Sequence, residues 1–165
     1  MKKSIIHRLQ ELRDKEIIST VEIEFVRFLL QLYPDTPEAV QWAAAACINA
    51  QQRGHVCLNI AELDGFIFDD AESGLRITEK LKQEWLRHLK QCEWISSGEK
   101  ISPLVLEQER LYLHRFWKYE EELAAWLTQK SARNLKLTEG QREIIQQLVP
   151  PASQLFEVNW QHVAL

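Results

Sequence analysis

The run from Pro103 to Glu120, PLVLEQERLYLHRFWKYE, most constrains what this chain can fold into. Leu104 and Leu106 alternate with Val105 and Glu107 as a strand, Gln108-Glu109 supplies a tight turn, and Leu111, Tyr112 and Leu113 form the return strand. The turn lacks the Asn-Gly or Asp-Gly pair that tight hairpins favour. From His114 to about Lys130 the period changes from two to helical, with Phe116, Tyr119, Leu123, Trp126 and Leu127 at helical intervals. A ribbon passing directly into an amphipathic helix requires a mixed architecture.

The rest of the chain supplies the helices. Ile5, Ile6, Leu9, Leu12 and Ile17 give residues 4–17 a helical period. Ser19 and Glu22 make a capping box for a second helix, whose core side is read as Val21, Phe25, Phe28, Leu29 and Leu32, and which Pro34 stops. A third helix is bracketed by Thr36-Pro37 and Gly54, and its Ala43–Ala46 run permits close approach of a neighbouring helix. His55-Val56-Cys57-Leu58 reads as a short strand, Ile60–Leu63 as a helical turn, and residues 64–77 as a loop. Thr78 caps a helix bearing Leu81, Trp85, Leu89 and Cys92 on one side. Thr138 and Gln141 open another that runs to Leu148, Pro150-Pro151 ends it, and Asn159 caps the start of a last one. The expected fold is α+β, mostly helical, with helices packed around a short strand and a hairpin. Residues 1–149 are read as one domain and 150–165 as a linker with the first helix of a further one.

At 165 residues and 45% hydrophobic, the chain is long enough for one packed domain. A net charge of -4 argues against a dedicated nucleic-acid surface. Cys47, Cys57 and Cys92 lack metal-type spacing and read as core thiols of a reducing compartment. The basic start Met1-Lys2-Lys3 is followed by no apolar core of a signal peptide, and a cytoplasmic protein is expected.

Catalytic signatures are wanting. His55 and Cys57 could share one strand face, but two ligands without a second pair do not make a metal site. No serine occupies a glycine-flanked elbow, and no histidine has an evident acidic orienter. No GxxxxGK[ST] loop occurs, so a triphosphate cannot be cradled in the P-loop manner. Residues 137–145 resemble the glutamine motif of helicases without the phosphate loop that motif needs. The order of elements from His55 to Leu113 also fits a winged helix, the alternative reading being a DNA-binding module. The recognition helix at 78–92 would carry Lys80, Lys82, Arg87 and Lys90 against Glu79 and Glu84, a modest basic footprint.

Three segments agree on one family. GHVCL at 54–58 with the following turn, PLVLEQERLYLHRFWKYEEELA at 103–124, and Asn159-Trp160-Gln161-His162-Val163-Ala164 together resemble the N-terminal region of the exodeoxyribonuclease V alpha subunits, the RecD component of RecBCD helicase–nucleases. The resemblance implies an accessory N-terminal piece of an ATP-dependent 5′-to-3′ DNA helicase subunit, without catalytic residues of its own. It further implies ATP and Mg in the longer parent, with Gln161 contacting adenine there, and docking onto the gamma (RecC) and beta (RecB) subunits. The six tryptophans exceed what a core of this size needs; Trp94 and Trp117, at element ends, are the ones read as partner-facing.

Overall fold

The computed structural model describes residues 4–65, 67–69, 75–131 and 138–148. It divides into two compact units, Met1–Ala124 and Ala125–Leu165. The boundary expected between residues 149 and 150 lies outside the described residues, as do Pro150-Pro151 and Asn159.

The first unit is built around a helix of small residues. Helices α1 (Ile5–Asp14), α2 (Thr20–Leu32) and α3 (Glu38–Gln52) come first, and α3 contacts both α1 and α2. In α3 Val40 and the alanines Ala43, Ala44 and Ala45 are fully buried, and Trp42, Ala46, Cys47 and Ile48 nearly so. Trp42 packs at 6.1 Å from the ring of Phe68, and the Arg8 guanidinium lies 4.6 Å over its ring. Beyond α3 lie strand β1 (Cys57–Asn59), helix α4 (Glu79–Gln91), strands β2 (Ile95–Ser96), β3 (Leu104–Glu107) and β4 (Arg110–Leu113), and helix α5 (His114–Ser131). Helix α6 (Glu139–Leu148) belongs to the second unit.

The four strands form one sheet in the order β1-β4-β3-β2. The hairpin β3–β4 forms as read, with Leu106 opposite Leu111, and β1 adds antiparallel to β4 with Cys57 opposite Tyr112. Sequence reasoning missed β2, which pairs parallel with β3 over two residues only. Leu58, Leu104 and Leu111 turn one face of the sheet to the core with Trp85 and Leu89 of α4. The fold is thus mostly helical α+β, as expected.

Caps follow the chemistry of the chain. Ser19 and Glu22 form the complete capping box of α2, and Thr78 Oγ accepts from the Leu81 N–H at 3.2 Å to start α4. The orientation of α2, however, corrects the sequence reading. Its buried face is Glu22, Ile23, Val26 and Leu29; of the residues read as its core side, only Leu29 is buried and Phe25 is half-buried, while Val21, Phe28 and Leu32 face solvent. The physical reason is Glu22, fully buried and satisfied from several sides: Ser19 N–H and Oγ donate to its Oε2 at 3.1 and 2.6 Å, and Asn49 Nδ2 of α3 donates to its Oε1 at 2.9 Å. A buried carboxylate is tolerated only with such partners, so the face carrying it must meet α3.

Helices α1 and α3 end in the same motif. Past α3, Gly54 (φ 91) donates to Gln51 O and His55 to Ala50 O; past α1, Glu16 donates to Arg13 O and Ile17 to Leu12 O. Both are Schellman ends, but the left-handed position is glycine in one and Glu16 (φ 59) in the other. The hairpin turn likewise puts Gln108 (φ 45) and Glu109 (φ 66) in the left-handed region, a two-residue primed turn without glycine or asparagine. Each such residue costs about 1 kcal/mol relative to glycine. Glu16→Gly and Glu109→Gly should therefore each raise stability by about that amount. In urea titrations the midpoint should rise with an unchanged slope; no rise would show that neither position is strained.

Candidate docking surface

The outward face of α2 is an exposed apolar feature of the first unit. Val21, Phe28 and Leu32 are 56%, 48% and 51% exposed. With Phe25 they stand at positions spaced four, three and four, so they line up along one side of the helix. The stripe runs into a groove of about 510 Å³ lined by Leu32, Tyr33, Pro34, His88, Cys92 and Trp94. Tyr33 and Trp94 stack there with centroids 4.6 Å apart and planes within 6°. Trp94 is thus half-buried and forms a wall of the groove.

Trp117 is placed differently. Its indole lies over the bare Cα of Gly98 (φ 107), closer than a Cβ there would tolerate. The loop beneath is closed by hydroxyls: Ser102 Oγ donates to Leu104 O at 2.6 Å, Ser96 and Ser102 Oγ atoms are 2.8 Å apart, and the Gly98 N–H donates to Ser96 Oγ. Trp117 therefore seats α5 on this loop and is half-buried. The exposed indole of α5 is Trp126, at 53%, with Tyr119, Leu123 and Leu127 also more than half exposed. Sequence periodicity located these residues; only the structure gives their exposure.

The remaining candidates do not converge. His55 is exposed and precedes β1, while Cys57 faces Tyr112 across the β1–β4 pair. No group of three or more His, Cys, Asp or Glu among the described residues is placed to hold a metal ion. Of the basic side chains of α4, Lys82 is spent in donating its Nζ to Ala61 O at 2.8 Å. Gln161 and Trp160 lie outside the described residues, as does Leu137 of the helicase-like segment. No helix among the described residues is long and apolar enough to cross a membrane.

Of the three thiols expected in the core, Cys47 is buried there, whereas Cys57 and Cys92 are half-buried. Burial, then the charge of nearby Cys57, pushes the Cys47 thiol from an ordinary 9.0 up to about 12, and its Sγ donates to Leu111 O at 3.3 Å. Burial likewise raises Cys57 and Cys92. Tyr112 is raised by burial, then by Cys57 and Glu120, both of which also share hydrogen bonds with its hydroxyl. Because the folded Cys47 value lies above the unfolded one, its contribution to stability is complete below pH 9 and is lost as pH rises toward about 12. Alkylation of the native protein should label Cys57 and Cys92 well before Cys47, and Cys47 should react only on unfolding. Equal labelling of all three, read by mass spectrometry, would contradict its burial. Gly98→Ala should cost about 1–3 kcal/mol by displacing Trp117, seen as a lower urea midpoint and a red-shifted indole emission; unchanged emission would refute the seating of α5 on this loop.

Comparison with known proteins bears on the family of the chain. Residues 14–112, which span α2 through most of β4, match the family described as the RecBCD enzyme subunit RecD, N-terminal domain. The chain is similar to the RecBCD enzyme subunit RecD of Buchnera aphidicola subsp. Schizaphis graminum, 25% identical over 132 residues, covering 76% of this chain and 21% of that protein. It is also similar to the RecD subunit of Buchnera aphidicola subsp. Acyrthosiphon pisum, 24% identical over 148 residues, 86% of this chain and 24% of that protein. The chain spans less than a quarter of the length of these curated relatives. With three-fifths of its residues inside the matched region, this chain belongs to the RecD N-terminal domain family.

Proposed function

We propose that this chain is the protein-docking domain of an ATP-dependent DNA helicase subunit within a helicase–nuclease for double-strand-break repair and recombination. Its partners are the gamma (RecC) and beta (RecB) subunits, and it carries no chemistry of its own. ATP and Mg serve the motor of the longer protein, where Gln161 meets the adenine edge. The observation that carries the reading is the outward apolar stripe of α2, continuous at Leu32 with the groove walled by Trp94. A soluble helix that turns half-exposed phenylalanine and leucine outward beside a buried face has surface to spend on another protein. The acidic balance of the chain fits a protein partner better than duplex DNA. Trp94, at the groove, is a contact residue; Trp117 contributes by holding α5 in place.

Affinity capture of purified beta and gamma subunits by this chain tests the proposal. Phe28→Asp with Leu32→Asp should weaken capture at least about tenfold, a loss of roughly 1.4 kcal/mol or more, without lowering the unfolding midpoint. Undiminished capture by the double variant would refute the α2 surface. Failure of the wild-type chain to capture either subunit, together with salt-sensitive duplex binding lost on Lys82→Glu and Arg87→Glu, would replace the docking reading by a DNA-binding one.

A further inference from the structure

The sheet leaves one strand edge unpaired along a pocket. Strand β1 is an outer strand, since the order is β1-β4-β3-β2. The Ile60 N–H donates to Glu109 O at 3.0 Å, and the register sets Leu58 opposite Leu111, with Cys57 and Asn59 opposite Tyr112 and Arg110. Antiparallel bonding alternates from residue to residue, so Ile60 and Leu58 turn their backbone groups to β4. The N–H and C=O of Cys57 and Asn59 therefore point the other way, where no backbone group among the described residues bonds to them. Along that edge lies a pocket of about 330 Å³, lined by Cys57, Leu58 and Asn59 together with Ala46 and Ala50 of α3 and Phe68 of the segment after β1. All of these residues belong to the first unit.

The surroundings of the edge state what fits it. Sheet edges are commonly blunted by lysine or proline, and residues 55–60, HVCLNI, contain neither. An added strand alternates its side chains as β1 does. Its residue opposite Leu58 turns to the core face of the sheet, where Ala46, Ala50 and Phe68 give it an apolar seat. Its two neighbours turn to the face of Cys57. There burial raises the Cys57 thiol first, Glu120 and Glu62 raise it further and Arg110 lowers it, so two carboxylates stand against one guanidinium. A second copy of the chain does not supply such a strand in either direction. Its own β1 has Leu58 buried and Cys57 and Asn59 half-buried in the same walled pocket, so the walls meet before two such edges do, whether parallel or antiparallel. Its other sheet edge, β2, is two residues long, and the Ile95 N–H there already donates to Cys92 O at 3.0 Å. A free end or loop of another protein enters where a strand fixed in a sheet does not.

We propose that the β1 edge takes an extended segment of a partner protein as a further antiparallel strand, with an apolar side chain opposite Leu58 and Lys or Arg opposite Cys57 and Asn59. The antiparallel ladder is the more stable per residue, and main-chain bonds to Cys57 and Asn59 supply the affinity while the alternate side chains supply the selectivity. The site shares no residue with the α2 stripe or with the groove beside Trp94, and it does not depend on the docking reading. The probes are short synthetic peptides of alternating lysine and valine, blocked at both ends. One is unmodified, one is N-methylated at the lysine amides, one is N-methylated at the valine amides, and one carries glutamate in place of lysine. In the proposed pairing the lysine amides face β1 and the valine amides face away.

The intact chain should bind the unmodified and the valine-methylated peptides alike, and the lysine-methylated and glutamate peptides at least about tenfold more weakly. Binding should slow amide exchange at Cys57 and Asn59, read by NMR. Asn59→Pro removes one outward N–H at a place where an edge strand tolerates proline, so it should abolish binding and keep the unfolding midpoint. Should that variant not fold, the two methylated peptides still decide the question on the wild-type chain. Equal binding of the two methylated peptides, binding of none, unchanged exchange at Cys57 and Asn59, or self-association of the chain in sedimentation each overturns the inference. Phe28→Asp with Leu32→Asp should leave peptide binding unchanged, which separates a failure here from a failure of the α2 surface.

Discussion

The structure depends on a helix that has no outside. From Val40 to Ile48 every residue of α3 except Gln41 is buried, and α1, α2, α4, β1 and β4 all contact this helix. Such crowding is possible because four consecutive alanines let neighbouring backbones approach closely, whereas large side chains would hold them apart. Trp42 fills the space the alanines leave at one end, against Phe68 and under Arg8. The sheet and the helices of the first unit therefore share one core rather than two.

One carboxylate then decides which way α2 faces. Apolar residues occupy much of its circumference, and two stripes compete for burial: Ile23, Val26 and Leu29, or Val21, Phe25, Phe28 and Leu32. Glu22 sits on the first. Its bonds to the Ser19 cap and to Asn49, with Gln52 Nε2 at 3.4 Å, can all be made only when that stripe meets α3. The second stripe is left outside for the same reason, so the element that stabilises the domain also creates the apolar face through which we propose it docks.

Local signals were legible wherever a single turn of chain sets the chemistry. Ser19, Thr78 and Gly54 mark helix ends because a cap needs only neighbouring backbone groups, and the alternation of 104–113 marks a hairpin because its partner strands are adjacent in sequence. Glu16, Gln108 and Glu109 gave no such signal, since their left-handed conformations are imposed by the surrounding motif against their own preference. The parallel pairing of β2 with β3 was illegible because two residues carry no period. The surroundings of Trp94 and Trp117, a Tyr33 stack and a bare Gly98, were illegible because they come from residues 61 and 19 positions away in the chain.

By itself the sequence determined the helices and the hairpin, the caps at Ser19 and Thr78, and the family, because each of these rests on spacing and on ordered short motifs. Only the tertiary structure decided which of two apolar stripes on α2 is core, and that Trp117 of α5 is half-buried over Gly98. Periodicity reports that a stripe exists, whereas its burial depends on what distant residues bring against it: Asn49 and Gln52 for α2, and Gly98 beneath Trp117 on the far side of α5.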